Sequence, residues 1–360
     1  MIEMYEQFLP YKYFVWTIVT LFGLFVGSFL NVVALRLLKN ESIVFPASHC
    51  PKCNEPIKPY DNIPVLSYFV LGGKCRKCKD KISIQYPIVE FTTGVLFLLC
   101  VLTFGLSIKT LAMMIVIAAL VVITVTDLYE QLIFDITSLT LVPIGLLYNF
   151  FNLGHVDRPD FVFQIFPKSF PLEIPYYLID GQIHLPGIFA SAIVGIIIAV
   201  IFFEGLSYLS EVALGKYGFG MGDTKLCAGL AAFFGWEMLV VIIIISFLAQ
   251  AVIGIPVIFY NIYKEKDMKS FYALLATIIF AAVPVLLNAF VAMSSQVAVI
   301  IMLVCFVIVI TALIIFMKRS KERQSFSYLP LGPAIVLGAI IIIFYGDDIL
   351  KWALKGFSLL

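Results

Sequence analysis

The feature that most constrains this chain is a succession of apolar runs, each close to the roughly 20 residues that a helix needs to cross the hydrocarbon core of a bilayer. They cover 13–35, 86–106, 108–127, 133–151, 187–209, 223–235, 238–262, 271–291, 296–317 and 331–350, ten in all. Charged residues make up only 13% of the chain, whereas soluble domains carry roughly 25%. The composition excludes a soluble globular fold and predicts an all-α polytopic membrane protein with about ten transmembrane helices. The segment 223–235 is short and contains Gly229, and Gly235-Trp236 reads as a tight turn into the next helix. The first residues carry Glu3 and Glu6 where a cleavable leader carries Lys or Arg, so the first span is expected to be retained.

Orientation follows from where Lys and Arg fall between the spans. The loop from Arg36 to Lys81 holds Arg36, Lys39, Lys52, Lys58, Lys74, Arg76, Lys77, Lys79 and Lys81, which places it in the cytoplasm by the positive-inside rule. Alternation then puts Lys264, Lys266 and Lys269, and the cluster Lys318, Arg319, Lys321 and Arg323, on the same side. The segment 152–186 becomes an irregular extracytoplasmic cap. The expected organisation is a first transmembrane helix over 1–37, a hydrophilic cytoplasmic loop over 38–85, helices over 86–151, the cap, and further helices over 187–360. The net charge of +1 says nothing about partners; the apolar spans lead us to expect membrane lipid and no nucleic acid.

In this topology Asp127 falls at the cytoplasmic end of the third span and Asp223 at the cytoplasmic start of the sixth. Ionisable side chains at such depth are costly unless compensated, and they mark functional sites. Two carboxylates sharing a poorly hydrated site divide one proton between them, an arrangement suited to general acid–base hydrolysis of a peptide bond. The glycines Gly220 and Gly222 beside Asp223 permit close backbone approach, so a substrate strand is expected to pair there. Simpler roles remain open from the residues alone: Asp223 as a helix cap and Asp127 as a solvated boundary residue.

A second constellation lies in the basic loop. Cys50-Pro51-Lys52-Cys53 and Cys75-Arg76-Lys77-Cys78 are two C-x-x-C pairs separated by 21 residues. Four thiolates at this spacing suit tetrahedral zinc, and a reducing compartment disfavours disulfides. A redox dithiol pair is the alternative. So few residues lie between the pairs that the metal itself is expected to fold the loop. Cys100, Cys227 and Cys305 lie in apolar runs and are expected to be packing residues.

The chain resembles the type IV prepilin peptidases, bifunctional leader peptidases and N-methyltransferases of type IV pilus and type II secretion systems. The resemblance rests on Gly27-Ser28-Phe29-Leu30-Asn31-Val32-Val33, Tyr60-Asp61-Asn62-Ile63-Pro64, Tyr86-Pro87-Ile88-Val89-Glu90, Thr126-Asp127-Leu128, Gly220-Met221-Gly222-Asp223-Thr224-Lys225-Leu226 and Leu331-Gly332-Pro333, in that order. It implies that Asp127 and Asp223 are catalytic aspartates of an inner-membrane protease. That enzyme would cut the leader from prepilin or pseudopilin substrates at the cytoplasmic face. Two departures stand out: Phe134 replaces the usual Pro, and the spans at 271–291 and 296–317 are additions to an eight-helix layout.

The four-cysteine form of the loop implies that S-adenosylmethionine is used to methylate the new N-terminus. Gly73 and Lys74 resemble positions tied to methylation, and Glu90 is a candidate for removing the proton of the amine and attracting the sulfonium. Weaker candidates are Asn31, as a substrate-backbone or interhelical partner, Lys225, as a neighbour biasing Asp223, His49, as a substitute metal ligand, and Glu204, with no role derived. Two other functions stay open: an aspartyl protease without methylation, and a zinc-regulated transporter using the aspartates as ion ligands.

Overall fold

The computed structural model describes residues 11–151, 187–214, 220–264, 267–277, 308, 311 and 330–357. Its elements are helices α1 (Lys12–Lys39), α2 (Leu66–Val70), α3 (Gln85–Phe104), α4 (Ile108–Glu130), α5 (Asp135–Ser138), α6 (Leu141–Phe150), α7 (Gly187–Leu214), α8 (Met221–Lys264) and α9 (Gly332–Phe357). Among the described residues five helices, α1, α3, α4, α7 and α8, are long and apolar enough to cross a membrane, and α9 adds a shorter apolar stretch. The spans expected over 296–317 and most of 271–291 lie outside the described residues, as does the segment 152–186.

The span expected over 133–151 is instead two short helices, α5 and α6, with a turn between them. Pro143 has no N–H to continue a helical ladder back to Leu139. The Thr137 and Ser138 hydroxyls also donate to the Phe134 carbonyl at 2.7 and 3.2 Å, which closes the first turn on itself. The segments 223–235 and 238–262, expected as two spans, join as α8, whose helical geometry is broken at Gly235 (φ 77°, ψ 175°). The expected turn is therefore present, but as a break within one element. Asn149 Nδ2 donates to the carbonyls of Ala232 and Phe233 at 2.7 and 3.1 Å, and Ser191 Oγ accepts the Trp236 N–H at 3.3 Å. Side chains thus satisfy backbone groups that the break leaves without helical partners.

Two compact units make up the chain. The first comprises Met1–Phe202, Met221–Ser246 and Pro330–Leu360 and contains both aspartates and all four loop cysteines. At its centre is α4, which packs against α1, α3 and α9; Val116, Ile117, Leu120 and Ile123 on it are fully buried. Small residues let α1 and α3 approach closely: a Cβ on Gly23 would lie 2.8 Å from the Gly94 Cα, and one on Gly27 2.8 Å from the Glu90 Cα. This is the packing that membrane helices use where hydrophobic exclusion gives no advantage. On the outer face of α1, Phe14, Phe22, Phe25 and Phe29 are exposed, as expected of a helix facing lipid acyl chains. In the second unit, Phe203–Gly220 and Phe247–Leu329, Asp267 caps a helical segment by accepting the Ser270 N–H at 3.2 Å and its hydroxyl at 2.7 Å. Phe259 meets Phe271 edge-on at 5.1 Å.

Candidate active site and metal centre

Asp127 lies in the last full turn of α4, which ends when Gln131 adopts a left-handed conformation (φ 55°) and donates its N–H to the Asp127 carbonyl at 2.9 Å. The Asp127 side chain is almost completely buried, and its Oδ2 has no hydrogen-bond partner among the described residues. A buried carboxylate oxygen left without a partner costs free energy, so it calls for a compensating group or a catalytic role. The start of α9 seals this side chain: a Cβ on Gly332 would land on Asp127 Oδ2 and lie 3.0 Å from its Cγ. The Gly332 N–H faces the same carboxylate.

Asp223 is in the first turn of α8 and is half-buried. The beginning of α8 is laid along the segment that directly follows Asp127 in sequence. A Cβ on Gly222 would meet the Ile133 Cβ at 2.8 Å, Lys225 Nζ pairs with Asp135 Oδ1 at 2.6 Å, and Gly229 abuts the Ser138 carbonyl. The start of α8 therefore packs on the segment from Ile133 to Ser138 that follows α4. Gly222 also packs on Ile133, and Lys225 is paired with Asp135. Gly220, just outside α8, is exposed.

The cysteines form a second, fully assembled cluster. Their four Sγ atoms all lie within 4.8 Å of one another, and Cys50 and Cys78 Sγ are 3.8 Å apart. Zinc–sulfur bonds of about 2.3 Å at tetrahedral angles place sulfurs about 3.8 Å apart, so the donor set fits that metal. Each pair sits in the same backbone hairpin. Cys50 N–H donates to the Glu55 carbonyl and Asn54 N–H to the Cys50 carbonyl, both at 2.9 Å; Cys75 N–H donates to Asp80 at 2.8 Å and Lys79 N–H to Cys75 at 3.1 Å. Asn54 and Lys79, each following the second cysteine of its pair, take left-handed φ values of 54° and 60°, and the bridges His49–Pro56 and Lys74–Lys81 close the two hairpins. The loop is thus a structural duplication that the sequence displays only as two C-x-x-C pairs. Lys77 pairs with Glu55 across the two hairpins. His49 Nδ1 faces the Ala47 carbonyl and is not among the clustered ligands.

Without metal the thiols have different proton affinities. Cys75 is brought down to about 7 by N–H groups of Cys78 and Lys77. Cys78 is pushed up to about 12 against the pull of the Asp80 N–H, through desolvation and the neighbouring thiols. Arg76 makes a two-pronged contact with Asp61 at 2.6 and 2.7 Å, which holds the Asp61 carboxyl below the usual carboxylate range. At the other end of the loop Arg36 donates to the carbonyls of Ser42 and Ile43 at 2.9 and 3.0 Å and also to Pro46, anchoring the loop to α1.

Between this loop, α1 and α3 lies a cavity of about 740 Å³ whose wall includes Ser28, Tyr68, Tyr86, Glu90 and Tyr129. Glu90 is buried and accepts the Val65 N–H at 2.7 Å. Gly73 (φ 66°) and Lys74 are in the hairpin of the second cysteine pair, outside the cavity lining. Asn31 joins α1 to α3 through Tyr86 O at 3.4 Å and Gln85 Nε2 at 3.3 Å, and Tyr129 of α4 donates to Gln85 at 2.5 Å. Asn31 is therefore an interhelical partner.

Several apolar helices, a pair of acidic helix ends and a four-thiol cluster that could hold a metal ion together describe a multi-pass membrane protein. Its residues 21–104 match the bacterial peptidase A24 N-terminal domain and residues 114–255 match the type IV leader peptidase family. The prepilin leader peptidase/N-methyltransferase of Aeromonas salmonicida is 32% identical over 275 residues, 69% of this chain and 83% of that protein. Proteins of the same name from Neisseria gonorrhoeae (35% over 257 residues, 65% of this chain and 79% of that one) and Pseudomonas aeruginosa (31% over 261 residues, 65% and 78%) are similar. The chain belongs to the prepilin leader peptidase/N-methyltransferase family, and it is a peptidase. No solved structure matches it.

Proposed function

We propose that the protein is an aspartyl peptidase of the inner membrane that removes the leader of prepilin-like and pseudopilin substrates at the cytoplasmic face, and then methylates the exposed amine with S-adenosylmethionine. What supports this reading is a buried carboxylate, Asp127, with one oxygen unpartnered, and the packing of the start of α8, which carries Asp223, on the residues that follow α4. Family membership supplies the chemistry, since the relatives are named for both activities. One aspartate, ionised, takes a proton from water as its oxygen attacks the scissile carbonyl carbon. The other, protonated, hydrogen-bonds the carbonyl oxygen, and a proton then passes to the leaving amine as the C–N bond breaks.

The basic loop over 38–85 supports the cytoplasmic orientation. Cys50, Cys53, Cys75 and Cys78 hold a structural zinc, whose chemistry is to lock the two hairpins together and supply the folding energy the loop lacks. Glu90, with Gly73 and Lys74, serves the methyl-transfer half of the reaction. Detergent-purified enzyme incubated with a prepilin and a labelled methyl donor is expected to yield a cleaved product whose N-terminus carries the label. Asp127→Asn and Asp223→Asn should each abolish cleavage while the protein still inserts and retains zinc. Full cleavage by either variant refutes the dyad, and a cleaved product with an unmodified amine removes the methyltransferase half.

A further inference from the structure

We infer that Lys225 is a positioning residue for the peptidase reaction: its ion pair with Asp135 stops the first turns of α8 from rotating about the helix axis, and so sets the direction in which Asp223 projects. This rests on the dyad reading above and specifies how one of its two carboxylates is aimed.

Side chains three or four residues apart share one face of a helix, and those two apart do not. Gly222, Lys225 and Gly229 therefore form a single stripe of α8, and this stripe packs on the segment that follows α4. A Cβ on Gly222 would stand 2.8 Å from Ile133 Cβ, and one on Gly229 would stand 2.9 Å from Leu141 Cβ and 3.0 Å from the Ser138 carbonyl oxygen. Between the two glycines, Lys225 Nζ reaches Asp135 Oδ1 at 2.6 Å. With about 3.6 residues in each turn, Asp223 projects about 200° away from Lys225 around the axis, on the side of Cys227, which is fully buried one turn further on. The lysine thus acts on Asp223 through the helix that carries both and not by direct contact.

The two glycines leave this seam with little resistance to turning. Larger side chains fix a helix by seating ridges in the grooves of its neighbour, and a stripe of glycine has no such ridges. The ion pair supplies the missing stop, and its anchor is firm. Asp135 opens α5, whose turn is closed by the Thr137 and Ser138 N–H groups on the Phe134 carbonyl at 3.0 and 3.2 Å and by the Leu139 N–H on the Asp135 carbonyl at 2.8 Å. The pair itself is open to water, with 26% of the Lys225 and 62% of the Asp135 side chain accessible. Ion pairs exposed to this degree add little to stability, so breaking this one should leave the fold standing while Asp223 loses its aim. A turn of about 10° carries a carboxylate held about 5 Å from the helix axis through about 1 Å, and a misplacement of that size costs about 10²-fold in rate.

The test is cleavage of a prepilin by the detergent-purified full chain, with kcat and KM read by mass spectrometry and the unfolding temperature as the fold control. Lys225→Met, which keeps the length of the side chain and removes its charge, and Asp135→Asn are each expected to lower kcat at least tenfold. KM should stay within threefold of wild type and the unfolding temperature should not move. The two substitutions together should be no worse than either alone, because they break one contact. Lys225→Asp and Asp135→Lys each set like charges against one another; combined, they should raise kcat at least threefold above either alone, a recovery that lost packing would not give. Wild-type cleavage by Lys225→Met, a loss in Lys225→Met that Asp135→Asn does not share, or no recovery in the exchanged pair overturns the assignment. Full cleavage by Asp223→Asn removes the dyad reading itself, whereas an inactive Asp223→Asn beside a fully active Lys225→Met overturns only the positioning role.

Discussion

Gly332→Ala offers the sharpest test of how the acidic centre is built. The added methyl would overlap Asp127 Oδ2 and lie 3.0 Å from Cγ and 3.4 Å from Cβ of the same side chain. Non-bonded carbons settle near about 3.5–4.0 Å, so either the carboxylate swings or the first turn of α9 withdraws, in both cases by roughly 1 Å. A misplacement of about 1 Å at a reacting group costs about 10²-fold in rate, equivalent to about 2.7 kcal/mol of activation free energy. Stability should fall too, by about 1–3 kcal/mol, the usual cost of one extra methyl in a filled site. Leader cleavage would be followed by mass spectrometry at saturating and sub-saturating substrate. The expected result is a kcat reduced about 10²-fold with KM little changed and zinc retained. A variant that cleaves within twofold of wild type would show that the Asp127 carboxylate tolerates displacement, and the dyad would lose its strongest geometric support.

Other outcomes follow from the same structure. Replacing Cys75 and Cys78 by Ser leaves two thiolates for the metal, so zinc is lost and the loop opens to proteolysis; a chelator should reproduce both effects, and a zinc-free loop as resistant as the native one would refute the structural role. Metal binding must displace thiol protons, Cys75 near 7 and Cys78 near 12 without metal, so zinc affinity falls as pH falls, and acidification in the presence of a colorimetric zinc indicator should show reversible release. Asn149→Ala strips the Ala232 and Phe233 carbonyls of their side-chain donor inside the α8 break. It should cost about 1–3 kcal/mol, read as a lowered unfolding temperature in detergent, and an unchanged value would mean that the break is satisfied in another way.

The parts of this fold that were legible in sequence are those written in adjacent residues. Apolar length identified α1, α3, α4, α7 and α9, and Gly235 marked the break in α8, because a bilayer span and a helix interruption each need only local composition. The cysteine cluster was legible for a similar reason: the thiols come as two local pairs, whose spacing suits a single tetrahedral metal. What was hidden depends on contacts between residues far apart in the chain. Apolarity over 133–151 said nothing of the hydroxyls that close α5, and Lys225 beside Asp223 gave no sign that Asp135 would claim it. Gly222 and Gly332 show the difference most clearly. Each is a glycine beside a chemically important motif, for which flexibility or substrate access is the natural first explanation, yet both are placed by what they touch, Ile133 in one case and the Asp127 carboxylate in the other. A glycine that carries no side chain carries no signal about its neighbour, so the element that closes over Asp127 from more than half the chain away becomes visible only when the helices are packed.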